Sequence, residues 1–100
     1  MIANPQDLVF AALASAPRRQ AIAFLAQTAL STSDLALRFG MSAPAVSRHL
    51  SVLQEAGLVS AERQGQRVLY RLQREALLDA LGGLASLVDG PLRRAPREAI

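Results

Sequence analysis

Apolar residues recur at helical spacing through the first quarter of the chain, and capping residues divide them into separate helices. Asn4 followed by Pro5 is typical of a helix start, and no breaking residue follows until about Ser15. Pro17 restarts the chain, with further apolar residues at helical spacing behind it. We therefore predict a first helix over roughly Pro5 to Ser15 and a second that begins at Pro17. The apolar side of the second helix consists of Ala21, Ile22 and Leu25.

The next segment has the residue pattern of two helices joined by a very short turn. Ser31 and Asp34 have the spacing of a capping box, which predicts a third helix that runs to Phe39. Gly40 can adopt the left-handed conformation that ends a helix, and Ser42 can cap a fourth helix. The pattern therefore predicts a helix-turn-helix over residues 31–57. The buried side of its second helix is predicted to consist of Val46, Leu50 and Leu53.

After Leu58 the apolar residues change to the two-residue repeat of β-strands. Leu58–Arg63 and Arg67–Leu72 are predicted to pair as a hairpin, with Gln64–Gly65–Gln66 as its turn. A last helix is predicted over about Arg74 to Val88. Its apolar stripe consists of Leu77, Leu81, Leu84 and Val88.

Two glycines, Gly82 and Gly83, lie inside this last helix. Each costs about 1 kcal/mol relative to alanine in a helix. They permit a close approach, a kink or a cavity, or they mark a frayed helix end. The sequence leaves these alternatives open.

Composition narrows the classes of protein that the chain can belong to. With 100 residues, 51% of them hydrophobic, it has the length of one domain. Cysteine is absent, which excludes disulfides, thiolate metal sites and thiol redox switches. No secretory signal is visible, and the longest apolar run is shorter than the about 20 residues that a bilayer span needs. We therefore expect a cytoplasmic location and no membrane association.

Basic charge is concentrated in the middle of the chain. All eleven basic residues are arginine, against eight acidic residues. The segment from Arg38 to Arg74 contains six arginines and two glutamates, whereas Glu75 to Leu92 contains three acidic residues and no basic one. A basic segment around a helix-turn-helix favours a nucleic-acid partner.

The second helix of the helix-turn-helix carries side chains suited to the DNA major groove. Arginine can donate two hydrogen bonds to guanine, so Arg48 is the candidate base contact. Serine hydroxyls can donate to phosphates or bases, and arginines at the hairpin tip can reach an adjacent groove or flanking phosphates. The predicted DNA contacts are Ser42, Ala43, Ala45, Ser47, Arg48, His49, Ser51, Arg63, Gln64 and Arg67.

Each of these assignments has a plainer alternative. His49 can contact DNA, or it can be a half-buried histidine that packs between helices. Arg63 and Arg67 can form a solvated hairpin surface without any partner. Catalysis is not expected, because Ser47 and His49 lie about 200° apart around a helix and cannot converge as nucleophile and base.

The segments Ser47–Val59 and Gly65–Leu72 resemble the signature of the ArsR/SmtB-type winged-helix repressors. The resemblance extends over about Ser31 to Leu72. It implies a mainly α fold with a small β-hairpin, a winged helix-turn-helix in the order ααααββα. It also implies a homodimeric bacterial transcriptional repressor, often autoregulatory, whose fourth helix contacts an imperfect palindrome in double-stranded DNA.

The predicted elements, together with the resemblance, imply a division of the chain. Residues 1–91 would form the domain, with residues 58–72 as the wing, and residues 92–100 a flexible basic tail. Residues 1–16 and 74–90 would be the dimerisation helices. The expected interface residues are Leu8, Val9, Ala12, Leu77, Leu81, Leu84 and Val88.

The chain departs from the metal-sensing members of that family. Residues 29–34 contain no cysteine, and the last helix contains no histidine. Asp79 and Asp89 would lie about 15 Å apart along one helix, too far to share an ion. We therefore expect no metal and no cofactor, and an effector that is an unknown small molecule or does not exist.

Two alternatives to this function remain open from the sequence. One is a winged-helix module that binds a protein through its hairpin and fourth helix. The other is a metal-responsive repressor with a carboxylate site formed across the dimer.

Overall fold

Five helices and a three-stranded antiparallel sheet follow one another along residues 4–89, the part of the chain that the computed structural model describes. The elements are α1 (Pro5–Leu13), α2 (Ala16–Leu25), β1 (Leu30–Ser31), α3 (Thr32–Phe39), α4 (Ala43–Glu55), β2 (Val59–Gln64), β3 (Arg67–Leu72) and α5 (Arg74–Asp89). The predicted order of helices and hairpin is confirmed, with β1 as an addition between α2 and α3.

The boundary between α1 and α2 differs from the prediction. The first helix ends at Leu13, and Ser15 is extended, with φ −108° and ψ 127°. Its hydroxyl accepts a hydrogen bond from the backbone N–H of Arg18 at 3.4 Å and so caps α2. Ser15 therefore belongs to the start of α2 because a capping residue cannot also continue the preceding helix.

The helix-turn-helix has the predicted caps. The Ser31 hydroxyl accepts from the backbone N–H of Asp34 at 3.1 Å, and the Asp34 carboxylate accepts from the backbone N–H of Ser31 at 3.0 Å. Gly40 has a φ of 68°, the left-handed conformation that favours glycine, and ends α3. The Ser42 hydroxyl accepts from the backbone N–H of Ala45 at 3.3 Å and begins α4.

The short strand β1 connects the helix-turn-helix to the hairpin. Leu30 pairs with Tyr70 and Ser31 with Leu69, so β3 lies between β1 and β2. Two residues are too few to produce a two-residue repeat, which is why the sequence pattern did not predict this strand. The pairing fixes the wing, defined as the β2–β3 hairpin, against the start of α3.

The core is centred on α4. Its buried residues are those predicted, Val46, Leu50 and Leu53, and the helix packs against α1, α2, α3 and β2. Full burial of one such side chain is worth about 1.5–3 kcal/mol relative to exposure. Because one side of α4 is held by four neighbours, the direction of its opposite side is fixed.

Two residues predicted to form the dimer interface belong instead to the core of the single chain. Val9 is 6% exposed and Ala12 is 0% exposed, and both pack in the main apolar cluster. This is a correction, because side chains already buried within one chain leave almost no surface for a second. Leu8, the other α1 residue of that prediction, is 36% exposed.

The last helix leaves the core after its second turn. Ala80 is buried, whereas none of residues 81–88 is. Gly82 and Gly83 lie within this continuous helix, so they do not mark a frayed end. A Cβ atom at Gly83 would lie 2.9 Å from Nε2 of Gln6 on α1, which is the end of a flexible side chain that can turn aside.

Residues 1–3 and 90–100 lie outside the described part of the chain. The predicted basic tail at residues 92–100 and the end of the predicted domain at residue 91 therefore stay predictions. Within residues 4–89, no single helix has the length and hydropathy of a membrane span. Helices α1 and α2 have that length and hydropathy only when counted together, and they are bent by 99° relative to each other.

Candidate nucleic-acid interface

One side of α4 carries a row of exposed residues. Pro44, Ser47, Arg48 and Ser51 follow the i, i+3, i+4, i+7 spacing of a helix face, and all four are exposed. This face lies opposite the buried side chains of the same helix. The structure thus places three of the predicted contacts, Ser47, Arg48 and Ser51, together on one surface. Pro44 shares that surface, although the sequence analysis did not include it.

The beginning of α4 adds a second feature to this surface. Ser42 and Ala43 are exposed, while Ala45 is half-buried. The Ser42 hydroxyl oxygen is engaged in capping, and its hydrogen remains able to donate to an acceptor. A helix N-terminus carries partial positive charge and attracts phosphate. This end of α4 is therefore suited to an anionic partner.

His49 points away from the exposed face. It is half-buried, and its Nδ1 lies 3.5 Å from Nη1 of Arg18 on α2. Residues 49 and 51 differ by about 200° around a helix, so His49 lies on the flank of α4 nearer the core. Its position favours the packing alternative over a direct contact with DNA.

The tip of the wing differs slightly from the prediction. Gln64 and Arg67 are register partners, so the turn consists of two residues, Gly65 and Gln66, rather than three. Gly65 has a φ of 65°, as two-residue hairpin turns require. Nη1 of Arg63 donates to the Gly65 carbonyl at 3.1 Å, and Arg63 and Gln64 are exposed at the tip.

Arg67 has a carboxylate partner that the sequence analysis missed. Its Nη2 donates to Oδ2 of Asp34 at 2.9 Å, although the Arg67 side chain remains 60% exposed. The sequence suggested only a capping role for Asp34, since the strand that brings the wing to α3 was not predicted. Exposed ion pairs are worth about 0–1 kcal/mol, so a phosphate can compete for Arg67.

The hydrogen bonds around Asp34 also change its acidity. The backbone N–H of Ser31 is the largest influence that lowers the pKa of Asp34, followed by the Ser31 hydroxyl. The positive charges of Arg67 and Arg38 lower it further. All of these contacts favour the charged carboxylate, so α3 and the wing meet at an ionised group.

The other arginines of the basic segment are engaged to different degrees. Nε of Arg71 donates to Oε1 of Glu62 at 3.2 Å, and the guanidinium of Arg38 lies 5.9 Å from the centre of the Phe24 ring. Within residues 4–89, the Arg48 side chain has no hydrogen-bond or ion-pair partner. The cationic group on the exposed face of α4 is thus available to bind.

A further exposed surface lies on α1 and α5. Six of the eight large hydrophobic side chains exposed along residues 4–89 belong to these two helices. Leu81, Leu84 and Val88 share one side of α5, and we call these three residues together with Leu8 the α1/α5 apolar surface. Leu78 and Leu87 are also exposed, but they lie outside the stripe predicted from the sequence and about 180° apart around the helix.

The predicted interface residue Leu77 is only half-buried and packs against the core cluster. Residues 4–89 bring no three His, Cys, Asp or Glu side chains together in a group that could hold a metal ion.

The lowered pKa of Asp34 predicts a pH dependence of stability. A carboxyl whose pKa falls on folding stabilises the fold above its usual range, and this stabilisation is lost as the pH falls through the lowered value. We therefore expect the free energy of unfolding, measured by urea titration, to decrease as the pH is lowered below about 4. This decrease should be less steep in Asp34→Asn than in the parent.

Asp79→Asn is the matched control, because Asp79 is an exposed carboxylate of α5 that has no hydrogen bond within residues 4–89. It should retain the parent's acid dependence. An equally steep loss of stability in Asp34→Asn and the parent would contradict the assigned role of the capping carboxylate.

Comparison with known proteins agrees with this geometry. The family model described as "Bacterial regulatory protein, arsR family" matches residues 16–61, which include α2, the helix-turn-helix and the start of the wing. The transcriptional repressor SdpR of Bacillus subtilis (strain 168) is 30% identical over 81 residues, 81% of this chain and 90% of that protein.

Solved structures of similar proteins share the fold. An ArsR-like transcriptional regulator from Rhodococcus sp. RHA1 superposes with a TM-score of 0.76 at 31% identity, covering 83% of this chain and 78% of that one. A second similar structure is the homodimeric winged helix-turn-helix DNA-binding domain of Mb0332 from Mycobacterium bovis, described as a possible ArsR-family regulator. It superposes with a TM-score of 0.71 at 30% identity, covering 85% of this chain and 79% of that one. The chain belongs to the arsR family of bacterial transcriptional regulators, and its helix-turn-helix is a DNA-binding element.

Proposed function

We propose that the protein is a repressor that binds an imperfect palindrome in double-stranded DNA as a homodimer. The observation that carries this proposal is the exposed face of α4, where Arg48 lies between two serines with the core directly behind it. In this function α4 enters the major groove, which is wide enough to admit a helix. The protein acts by occupying a promoter, in the cytoplasm, where bacterial DNA lies.

The N-terminal half of α4 makes the base contacts. Arg48 donates two hydrogen bonds to a guanine, and Ser47 and Ser51 donate to bases or phosphates beside it. Glu55 is exposed near the end of the same face, two turns beyond Arg48. Its negative charge repels phosphates, so the far end of α4 points out of the groove.

The wing contacts the phosphate backbone beside the groove. Arg63 and Gln64 are exposed at its tip, and Arg67 exchanges Asp34 for a phosphate when DNA is bound. Contacts of this type add affinity that falls with salt and carry little sequence information. The residues that select sequence therefore lie on α4, and those that add affinity lie on the wing.

A second copy of the chain covers the α1/α5 apolar surface. Apolar patches of this kind, unless covered, are unfavourable in water and typical of interfaces. A two-fold dimer places its two α4 helices in successive major grooves, about 34 Å apart. Because the chain contains no cysteine, any effector acts without a protein thiol. It releases DNA by favouring a dimer geometry that cannot span both half-sites.

Arg48→Ala tests the base contact. We expect the ratio of affinities for the operator and for random DNA to fall by a factor of about 10 to 100, because one bidentate base contact is worth about 1–3 kcal/mol. Arg48→Lys keeps the charge but loses the planar fork, so it should bind random DNA normally and still discriminate poorly. An unchanged affinity ratio in Arg48→Ala would rule out this base contact.

Leu81→Asp tests the interface. Leu81 is 38% exposed on α5, and a buried carboxylate in an apolar interface is strongly unfavourable. We expect sedimentation to find this variant monomeric at concentrations where the parent is dimeric. Leu37→Asp is the matched control, since Leu37 is exposed on α3 outside this surface, and it should remain dimeric. Persistence of the Leu81→Asp dimer would place the interface elsewhere.

A further inference from the structure

Arg18 lies where α1, α2 and α4 meet. It is in the first turn of α2, is half-buried, and directs its guanidinium away from its own helix. Nε donates to the Ala12 carbonyl at 2.7 Å, and Nη2 donates to the Ala11 carbonyl at 3.2 Å. Nη1 lies 3.5 Å from Nδ1 of His49 on α4. One side chain thus contacts both neighbouring helices.

The three contacts match the chemistry of arginine. The Ala11 and Ala12 carbonyls are in the last turn of α1, where backbone oxygens remain able to accept; the Ala11 carbonyl also accepts from the backbone N–H of Ala14 at 3.2 Å. The planar fork of arginine can donate from three nitrogens in fixed directions, which the single ammonium of lysine cannot do. Arginine can only donate, so in a hydrogen bond across the 3.5 Å between Nη1 of Arg18 and Nδ1 of His49 the ring nitrogen is the acceptor.

Arg19 provides a contrast within the same turn. Its Nη1 donates to the Leu13 carbonyl at 2.6 Å, so it also satisfies the end of α1. Its side chain is exposed, and within residues 4–89 it makes no hydrogen bond to α4. The connection to the DNA-binding helix is therefore specific to Arg18 and is not a general consequence of a basic residue near α1.

We propose that Arg18 is a positioning residue that fixes the orientation of α4 relative to α1. The inference rests on the proposed function, and it identifies what sets the geometry of the dimer on DNA. Helix α1 carries Leu8 of the α1/α5 apolar surface and contacts α5, whereas α4 carries Arg48. The angle between α1 and α4 therefore sets the separation and tilt of the two α4 helices. Arg18 controls tolerance to half-site spacing without touching DNA.

The test uses an operator that the parent protein selects from random duplexes. Derivatives of this operator have their half-sites moved together or apart by single base pairs, and one duplex carries a single half-site. Affinities are measured across this series at two salt concentrations for the parent, Arg18→Lys and Arg19→Lys. The two variants make the same chemical change at adjacent positions.

We expect Arg18→Lys to reduce the preference for the selected spacing by about fivefold, the equivalent of one net hydrogen bond. Its affinity for the single half-site and its salt dependence should equal those of the parent, and Arg19→Lys should behave as the parent throughout. An unchanged spacing preference in Arg18→Lys would overturn the proposal. So would an equal loss of affinity at every spacing, which would indicate a DNA contact or a general loss of structure.

Two substitutions of His49 keep the test decisive if Arg18→Lys folds poorly. His49→Asn retains an acceptor near the position of Nδ1 and should keep the parent's spacing preference. His49→Leu removes the acceptor and should relax the preference as Arg18→Lys does. Equal preferences in the two His49 variants would overturn the proposal. If the parent selects no operator at all, the proposed function itself fails, and the positioning role falls with it.

Discussion

The burial of one side of α4 is the constraint on which the rest of the structure depends. Val46, Leu50 and Leu53 are surrounded by α1, α2, α3 and the start of the wing. A helix with one buried face has no freedom to rotate about its own axis, so packing decides which residues of α4 face solvent. Because these three apolar side chains are buried, Ser47, Arg48 and Ser51 on the opposite side of the helix are exposed to solvent.

The polar contacts around this core join its parts at defined points. Asp34 caps α3 and also holds Arg67 of the wing, so one carboxylate connects the helix-turn-helix and the hairpin. Arg18 satisfies the end of α1 and contacts His49 of α4. These contacts are individually weak, and the core supplies most of the stability. Their effect is on relative orientation, which matters for a protein whose partner has a fixed helical repeat.

Local signals in the sequence were sufficient for the five helices, the hairpin and most of the exposed face of α4. Ser31, Asp34, Gly40 and Ser42 act within a few residues of themselves, so their spacing predicts the caps directly. Contacts between distant segments could not be predicted in this way. The Arg67–Asp34 pair depends on the pairing of β1 with β3, and the Arg18–His49 contact depends on how three helices meet. Burial of Val9 likewise depends on which side of α1 meets the core.

The central claim is that two copies of the exposed face of α4 bind DNA together at a fixed separation. Hydroxyl-radical footprinting on the selected operator measures this most directly. The account predicts two protected segments, related by symmetry and centred about one helical turn, roughly 34 Å, apart. A single protected half-site, or protection with no periodic separation, would contradict it.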